Sequence, residues 1–403
     1  MIYIFRRFVR EDDSVPELTD GFQKAPGSPE GGFPAFSFCT DRLPRGMYRL
    51  HIAFTARKDI SRLYLFTGRK QLREILSLKK GERYENTFFQ LVTEIIPRFY
   101  DRAYPVERLF FSFCGAEEGA VEPDDCYVEP AAEGQRIFLC GDSTVTDHPG
   151  DLPYHPGACY AAWGQALPAF LTGDTAVENQ AHCGLTTETF RQEGHLNIVK
   201  KYIRPGDLCL IQFAHNDQKL PHLLADREYP RNLERMIREL REKGAEPVLV
   251  TPLGRNIWNK DGTYRELLGE HTRAVKETGI REQVPVIDLH QFSVDFIRKK
   301  GMEAACSYFH PDDYTHTNEY GAYVFAAFMA GQLCRLFPDR LTVRKAVDFE
   351  PPAGLWKQLA GKKCGAGGRG QKEEFDAMEK SVAALLAAVA AAKGEKDGQT
   401  ESL

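Results

Sequence analysis

From residue 136 onward, short β-forming apolar runs alternate with amphipathic helical stretches, and few folds accept that alternation. The runs are IFLC (137–140), AVEN (176–179), LCLIQF (208–213), PVLVTP (247–252) and VPVIDL (284–289). Strands recurring at this spacing, with helices between them, predict a parallel sheet in an α/β fold. One such helix is RNLERMIRELREKG (231–244). It places Leu233, Met236, Ile237 and Leu240 on one face, which should pack on the sheet, and Gly244 supplies its stop.

Before about residue 130 the apolar period is two instead. Tyr48, Leu50, Ile52 and Phe54 fall on one strand face, as do Leu109, Phe111 and Phe113, and RLYLF (62–66) and FFQLVTEII (88–96) are further strands. Gly-, Lys- and Pro-bearing turns separate them, so an all-β sandwich is expected ahead of the α/β sheet. VEPDDCYVEPAAEGQ (121–135), rich in Pro, acid and small residues, reads as a linker. The expected organisation is therefore a β-sandwich accessory domain over 1–130, an α/β domain over 136–340 and a C-terminal extension over 341–403. In that extension an Ala-rich helix (372–393), docked or free, should precede a polar tail of weak order.

Composition narrows the partners. A chain of 403 residues holds two or three domains, and 57 acidic against 52 basic residues leave a formal charge of -5. Such a chain has no basic field for a phosphate backbone, so nucleic acid is not an expected partner. The opening MIYIFRRFVREDD is broken by Arg6 and Arg7 too early for a secretory signal, and VAALLAAVAAA (382–392) is too short to span a bilayer. No membrane association is expected. The ten cysteines include no CxxC pair, and Cys140 and Cys209 sit inside apolar runs. Free thiols and a cytoplasmic location are expected on these grounds.

The chemistry gathers where strands end. The first α/β strand runs into Gly141-Asp142-Ser143-Thr144, which puts a hydroxyl at the C-terminal edge of a parallel sheet, where ligands of such sheets bind. Taken alone, this is equally a strand-to-helix turn with Ser or Asp as the cap. Asp313-Tyr314-Thr315-His316 places a carboxylate and an imidazole three residues apart. In such a pair the carboxylate sets the ring tautomer and leaves the far nitrogen free to take a serine proton, although a solvated loop before a helix has the same composition. Ala214-His215-Asn216-Asp217 brings an amide donor to another strand end, and Asn179-Gln180-Ala181-His182-Cys183-Gly184 ends in a glycine whose N–H can approach a ligand.

In the chain order Ser, Gly, Asn, Asp-x-x-His, these fragments resemble the four blocks of the SGNH/GDSL hydrolases. Within that superfamily the chain most resembles the rhamnogalacturonan acetylesterase group, in a two-domain bacterial form. The likeness spans about 136–337 and rests on GDSTVTD, GLTTETF, HNDQK, VTPLGRN and DYTHTN. It implies a three-layer α/β/α, flavodoxin-like sheet and a Ser-His-Asp acyl-enzyme mechanism without a cofactor. Ser143 would be the nucleophile, His316 the base and Asp313 its orienting carboxylate. The Ser143 and Gly184 amides and the Asn216 side chain would form the oxyanion hole. The implied substrate and partner is an acetylated oligosaccharide of the pectic rhamnogalacturonan type.

Two positions complicate the match. The third block commonly has glycine where this chain has Ala214, which would cost about 1–2 kcal/mol if the backbone there required positive φ. Asp312 competes with Asp313, and the three-residue spacing to His316 favours the latter. Thr144, His215, Arg255 and Trp258 lie in or beside the blocks and are candidates for substrate contact, Arg255 through a uronate carboxylate and Trp258 by stacking on a sugar face, although a structural Arg and a packed Trp fit the same sequence equally well. Histidines 148, 155, 182, 215 and 310 are numerous, but none falls at a metal-ligand spacing, and no metal is expected. The competing readings are an SGNH esterase for another acetylated glycan, a lipid or a thioester, and a non-catalytic glycan-binding protein.

Overall fold

A computed structural model describes residues 2–11, 13–24, 32–172, 174–311, 313–359, 383 and 385–393. The five expected strands form one parallel sheet, with elements Gln135–Gly141, Thr175–Asn179, Leu208–Gln212, Glu246–Val250 and Val286–Ile287. Numbered along the chain, their order across the sheet is 2-1-3-4-5. The first strand shows why an apolar run with no alternation belongs here. Its Ile137 and Leu139 point into one core with Trp163, Phe325 and Met329, while Phe138 and Cys140 point into another with Leu233, Met236, Ile237 and Leu240. A strand buried on both faces has no polar side to present. The last four of those residues lie on the helix Glu228–Arg241, which packs as expected, and Gly244 follows at φ +73°.

In a 2-1-3-4-5 sheet the chain reverses direction between the first and third strands, which opens a crevice at their C-terminal ends. Gly141 and Gln212 close those two strands side by side.

The first 130 residues form two five-stranded antiparallel sheets. Leu50, Ile52 and Phe54 of Gly46–Ala56 meet Leu63 and Leu65 of Ile60–Thr67 and Phe111 and Phe113 of Phe110–Cys114 in a core of their own. The segment expected to be a linker is structured: Val121–Pro123 and Tyr127–Pro130 both pair with Gly46–Ala56. Pro123 and Pro130 are the last residues of their strands, a position that tolerates a missing N–H, so a proline-rich composition did not signal a break in structure.

This β-rich region is joined to the parallel sheet by buried polar contacts. Phe22–Lys24 pairs in parallel with Gly150–Leu152. Arg69 donates to the Asn179 carbonyl at 2.6 Å and pairs with Asp147 at 3.3 Å, Gln71 donates to Asp147 at 3.2 Å, and Thr93 donates to Glu178 at 2.9 Å. Losing one partner of a buried polar contact costs about 1–3 kcal/mol, so these contacts fix how the two regions meet.

Of the Ala-rich helix expected over 372–393, residues 385–393 are helical, and Leu385 and Leu386 pack against the core that holds Phe325. Its earlier part and the polar tail lie outside the described residues, apart from residue 383. Among the described residues every cysteine is a free thiol, and no helix is long and apolar enough to cross a membrane.

Candidate active site

A side chain at Gly141 would meet Val145 at 2.6 Å and the Gln212 carbonyl at 3.0 Å, so only glycine lets the chain turn here beside the neighbouring strand. The turn leaves Ser143 in the crevice. Its Oγ lies 2.7 Å from His316 Nε2, and His316 Nδ1 lies 2.7 Å from Asp313 Oδ2. The other oxygen of Asp313 accepts the amides of Thr315 at 2.8 Å and His316 at 3.0 Å, so one carboxylate sets both the loop and the ring. Burial alone would raise the Asp313 pKa. The His316 hydrogen bond and charge, together with the two amides, outweigh burial and hold it well below the usual carboxylate range. Asn318 anchors the loop from behind by capping the helix Glu319–Leu336 and donating to the Ser307 and Phe309 carbonyls. Asp312 lies outside the described residues.

Two neighbours complete this wall. His148 is buried, which lowers its pKa to about 3, and its Nε2 faces the Ser143 carbonyl at 2.7 Å. The ring is therefore neutral and donates from Nε2, holding the backbone of the serine turn. Tyr160 reaches Asp313 Oδ2 at 3.5 Å, lies edge-on to His316 with centroids 5.7 Å apart and stacks on His310. Sequence reasoning missed Tyr160, because an isolated tyrosine in a loop carries no pattern.

On the opposite side, Asn216 Nδ2 donates to the Leu185 carbonyl at 3.0 Å, and its Oδ1 accepts from Lys219 at 3.0 Å. One amide hydrogen of Asn216 is left over. Gly184 has φ +86° and open space where a Cβ would stand, so backbone conformation rather than crowding calls for glycine there. Among the described residues, neither the Ser143 amide nor the Gly184 amide makes a hydrogen bond. The loops bearing Gly184 and Asn216 are tied together by Asp217, whose Oδ1 accepts the Thr187 amide at 2.9 Å and hydroxyl at 2.6 Å. Burial, aided by the anion of Asp142, pushes the Asp217 pKa up to about 7 against the pull of Thr187.

Ala214 adopts φ +148° with its methyl buried, so the position does hold a backbone that favours glycine. Strain of this kind costs about 1–3 kcal/mol. Glycine would relieve it, but would lose about 0.5–1 kcal/mol in chain entropy and about 0.8 kcal/mol in methyl burial. The terms nearly cancel. Ala214→Gly is expected to keep the unfolding free energy within about 1 kcal/mol of wild type, as read by urea denaturation. A loss of about 2 kcal/mol or more would mean that the backbone is not strained.

All four candidates for substrate contact are buried and engaged by neighbouring groups, which for Arg255 and Trp258 agrees with the structural alternative. Thr144 donates to Asp142 at 2.8 Å. His215 is held between the Leu253 carbonyl at 2.9 Å and Asp142 at 3.4 Å. Arg255 is buried, donating to the Thr315 hydroxyl and to the His215 carbonyl at 3.2 Å, and so braces two loops instead of facing solvent. Trp258 is buried too, with Nε1 on Asn256 at 2.7 Å and its ring against Tyr264. The Asn256 amide bonds the Tyr314 carbonyl at 2.8 Å, which draws this loop under the Asp313 loop and away from the rim. Among the described residues no group of three or more His, Cys, Asp or Glu is arranged to hold a metal ion.

A cleft of about 540 Å³ opens beside this constellation. His148, Tyr160 and Cys183 wall it from the α/β side, and Glu17, Arg98 and Tyr100 from the β-rich side. Ser143 is not one of its walls but adjoins one, since its carbonyl accepts a hydrogen bond from His148.

Residues 139–322 match the GDSL-like Lipase/Acylhydrolase family. The rhamnogalacturonan acetylesterase RhgT of Bacillus subtilis is 35% identical over 208 residues, which are 48% of this chain and 88% of that protein. YesY of the same organism, a probable rhamnogalacturonan acetylesterase, is 34% identical over 203 residues, 48% of this chain and 90% of its own. The rhamnogalacturonan acetylesterase of Emericella nidulans is 25% identical over 229 residues, 51% of this chain and 87% of that protein.

Proposed function

Because this chain belongs to the GDSL-like lipase/acylhydrolase family, we propose that it is a serine esterase that removes O-acetyl groups from rhamnogalacturonan-type oligosaccharides. The observation that carries this reading is the unbroken line from Ser143 Oγ through His316 to Asp313, with both contacts at 2.7 Å. Ser143 Oγ attacks the acetyl carbonyl as its proton passes to His316 Nε2. Asp313 keeps the other ring hydrogen on Nδ1 and stabilises the imidazolium that forms. The tetrahedral oxyanion is met by the unspent Ser143 and Gly184 amides and the remaining Asn216 hydrogen. Collapse breaks the bond to the sugar oxygen, which leaves with the proton from His316, and the acetyl group stays on Ser143. Water, deprotonated by His316, then attacks the acyl-enzyme and releases acetate.

In this reading residues 1–130 are a β-sandwich accessory domain, supported by the separate core that its two sheets share, and 136–340 are the catalytic domain. The rhamnogalacturonan preference draws on the names of the relatives. The free thiols suit a reducing compartment, where short imported oligosaccharides are the available substrate. Acetate release from acetylated rhamnogalacturonan oligomers, set against acetylated xylan at equal acetyl concentration, tests the substrate. Equal or faster release from xylan would reject it.

Asn216→Ala should lower kcat by about 10²–10³ with little change in KM, the effect of losing one donor to the oxyanion. A raised KM at unchanged kcat would make Asn216 a substrate-binding residue instead.

A further inference from the structure

The steps above draw on residues of the α/β region beside the cleft, yet the β-rich wall of the cleft carries features that folding does not account for. Glu94–Ile95 and Tyr104–Pro105 pair antiparallel, with Tyr104 opposite Ile95, and hold up the loop between them. In that loop Phe99 is 92% exposed and stands at φ +67°, and Tyr100 is 42% exposed. A non-glycine residue in the left-handed region costs about 1–2 kcal/mol, and an exposed phenylalanine forgoes about 1.5–3 kcal/mol of burial. Both costs are met at one residue on the rim of a cleft, and an observed backbone outlier is sound ground for inferring function. The loop is also held in place. Tyr100 N–H bonds the Pro97 carbonyl at 3.1 Å, the Tyr100 ring packs edge-on against Tyr104, and the Arg98 amide donates to Glu17 at 3.3 Å.

The charges along the cleft are unequally answered. Glu17 faces His182 at 3.7 Å, Asp147 faces Arg69 at 3.3 Å, and Asp151 accepts from Gln23 at 2.9 Å. The Arg98 guanidinium lies over the Phe99 ring, 4.6 Å from its centroid, and among the described residues it has no carboxylate partner. Its field reaches across the cleft. Burial raises the Cys183 thiol to about 11, and Arg98 is the largest influence opposing that rise. Cys183 lines the cleft together with Arg98 and directly precedes Gly184 in the chain.

We propose that Arg98, Phe99 and Tyr100 form a glycan subsite that takes a uronate of the oligosaccharide whose acetyl group lies at Ser143. The aromatic rings offer apolar faces to the sugar's C–H surface, and the guanidinium fork pairs with the uronate carboxylate in bidentate fashion. A cleft of about 540 Å³ lies within the size range of small-ligand sites. The inference rests on the esterase reading and assigns recognition of the substrate's uronate to the β-rich region.

The test is calorimetric binding of trigalacturonate, which carries no acetyl group, to the full chain, with neutral galactotriose as the comparison. Arg98→Ala should weaken trigalacturonate binding at least fivefold and leave galactotriose binding within twofold. Arg98→Glu, which reverses the charge, should weaken trigalacturonate further, and Phe99→Ala should weaken both sugars. Both substituted side chains are exposed, and matching melting curves establish that the variants fold. A smaller loss with Arg98→Ala, an equal loss for the neutral sugar, or no trigalacturonate binding by the wild type overturns the subsite. Acetate release from acetylated rhamnogalacturonan by the wild type reports separately on the esterase reading. Release combined with Arg98-independent binding rejects the subsite alone, and Arg98-dependent binding without release rejects the substrate assignment alone.

Discussion

Ser143→Ala should lower kcat for p-nitrophenyl acetate by about 10⁵–10⁶, because removing the nucleophile of a triad costs nearly as much as removing the whole triad. The protein should stay folded. The change deletes one hydroxyl at a 7% exposed site and one hydrogen bond of 2.7 Å, for a net cost of about 0.5–1.5 kcal/mol. The imidazole that loses its partner has a side chain 28% exposed, so water can replace the hydroxyl. The outcome is read by comparing turnover with a melting curve. Residual turnover above about a hundredth of wild type would remove Ser143 from the reaction.

Asp313→Asn should cost about 10⁴ in kcat with KM nearly unchanged, and the reason lies in which oxygen does what. Oδ1 accepts two backbone amides, from Thr315 and His316, so the asparagine carbonyl must stay on that side. The NH₂ group then points at His316 Nδ1. A donor there leaves Nδ1 as the acceptor and moves the ring proton to Nε2, where it blocks uptake from Ser143. A loss below about tenfold would mean that the ring is oriented by other groups.

The same substitution has a stability signature. A carboxylate whose folded pKa is depressed contributes stability that is fully present above its unfolded pKa of about 3.9 and is lost as pH falls toward the folded value. Wild type should therefore lose stability below about pH 4 more steeply than Asp313→Asn, as followed by denaturation at a series of pH values.

The parallel strands and the helix over 231–244 were legible in the sequence because apolar periodicity is a local property. Gly141-Asp142-Ser143, Asn216 and Asp313-x-x-His316 could be picked out as candidates for a related reason, since each block carries its polar groups within a few residues. The positions of Arg255 and Trp258 were not legible. Whether a polar residue after a strand reaches the rim or turns under a neighbouring loop depends on contacts such as Asn256 to Tyr314, 58 residues away in sequence (314 − 256). The misreading of 121–135 has the same origin, because its partner strand, Gly46–Ala56, lies far back in the chain. Arg98 and Phe99 had no signal at all. Their significance comes from a cleft whose walls are contributed by two separate regions of the polypeptide.

The parallel pairing of Phe22–Lys24 with Gly150–Leu152 has a consequence for how the protein is made. Phe22 leaves the ribosome early, but its partner follows 128 residues later, roughly 6–26 seconds at ordinary translation speeds of about 5–20 residues per second. During that interval the two antiparallel sheets can assemble, while the Phe22 segment and the face bearing Arg69 and Gln71 wait for partners that do not yet exist. The nascent chain must carry an unfinished edge past the completion of its first core. Slowing synthesis between residues 130 and 152 should therefore expose that edge to chaperones, whereas a slow stretch placed only after Asp147, Glu178 and Asn179 have left the ribosome should find it already closed.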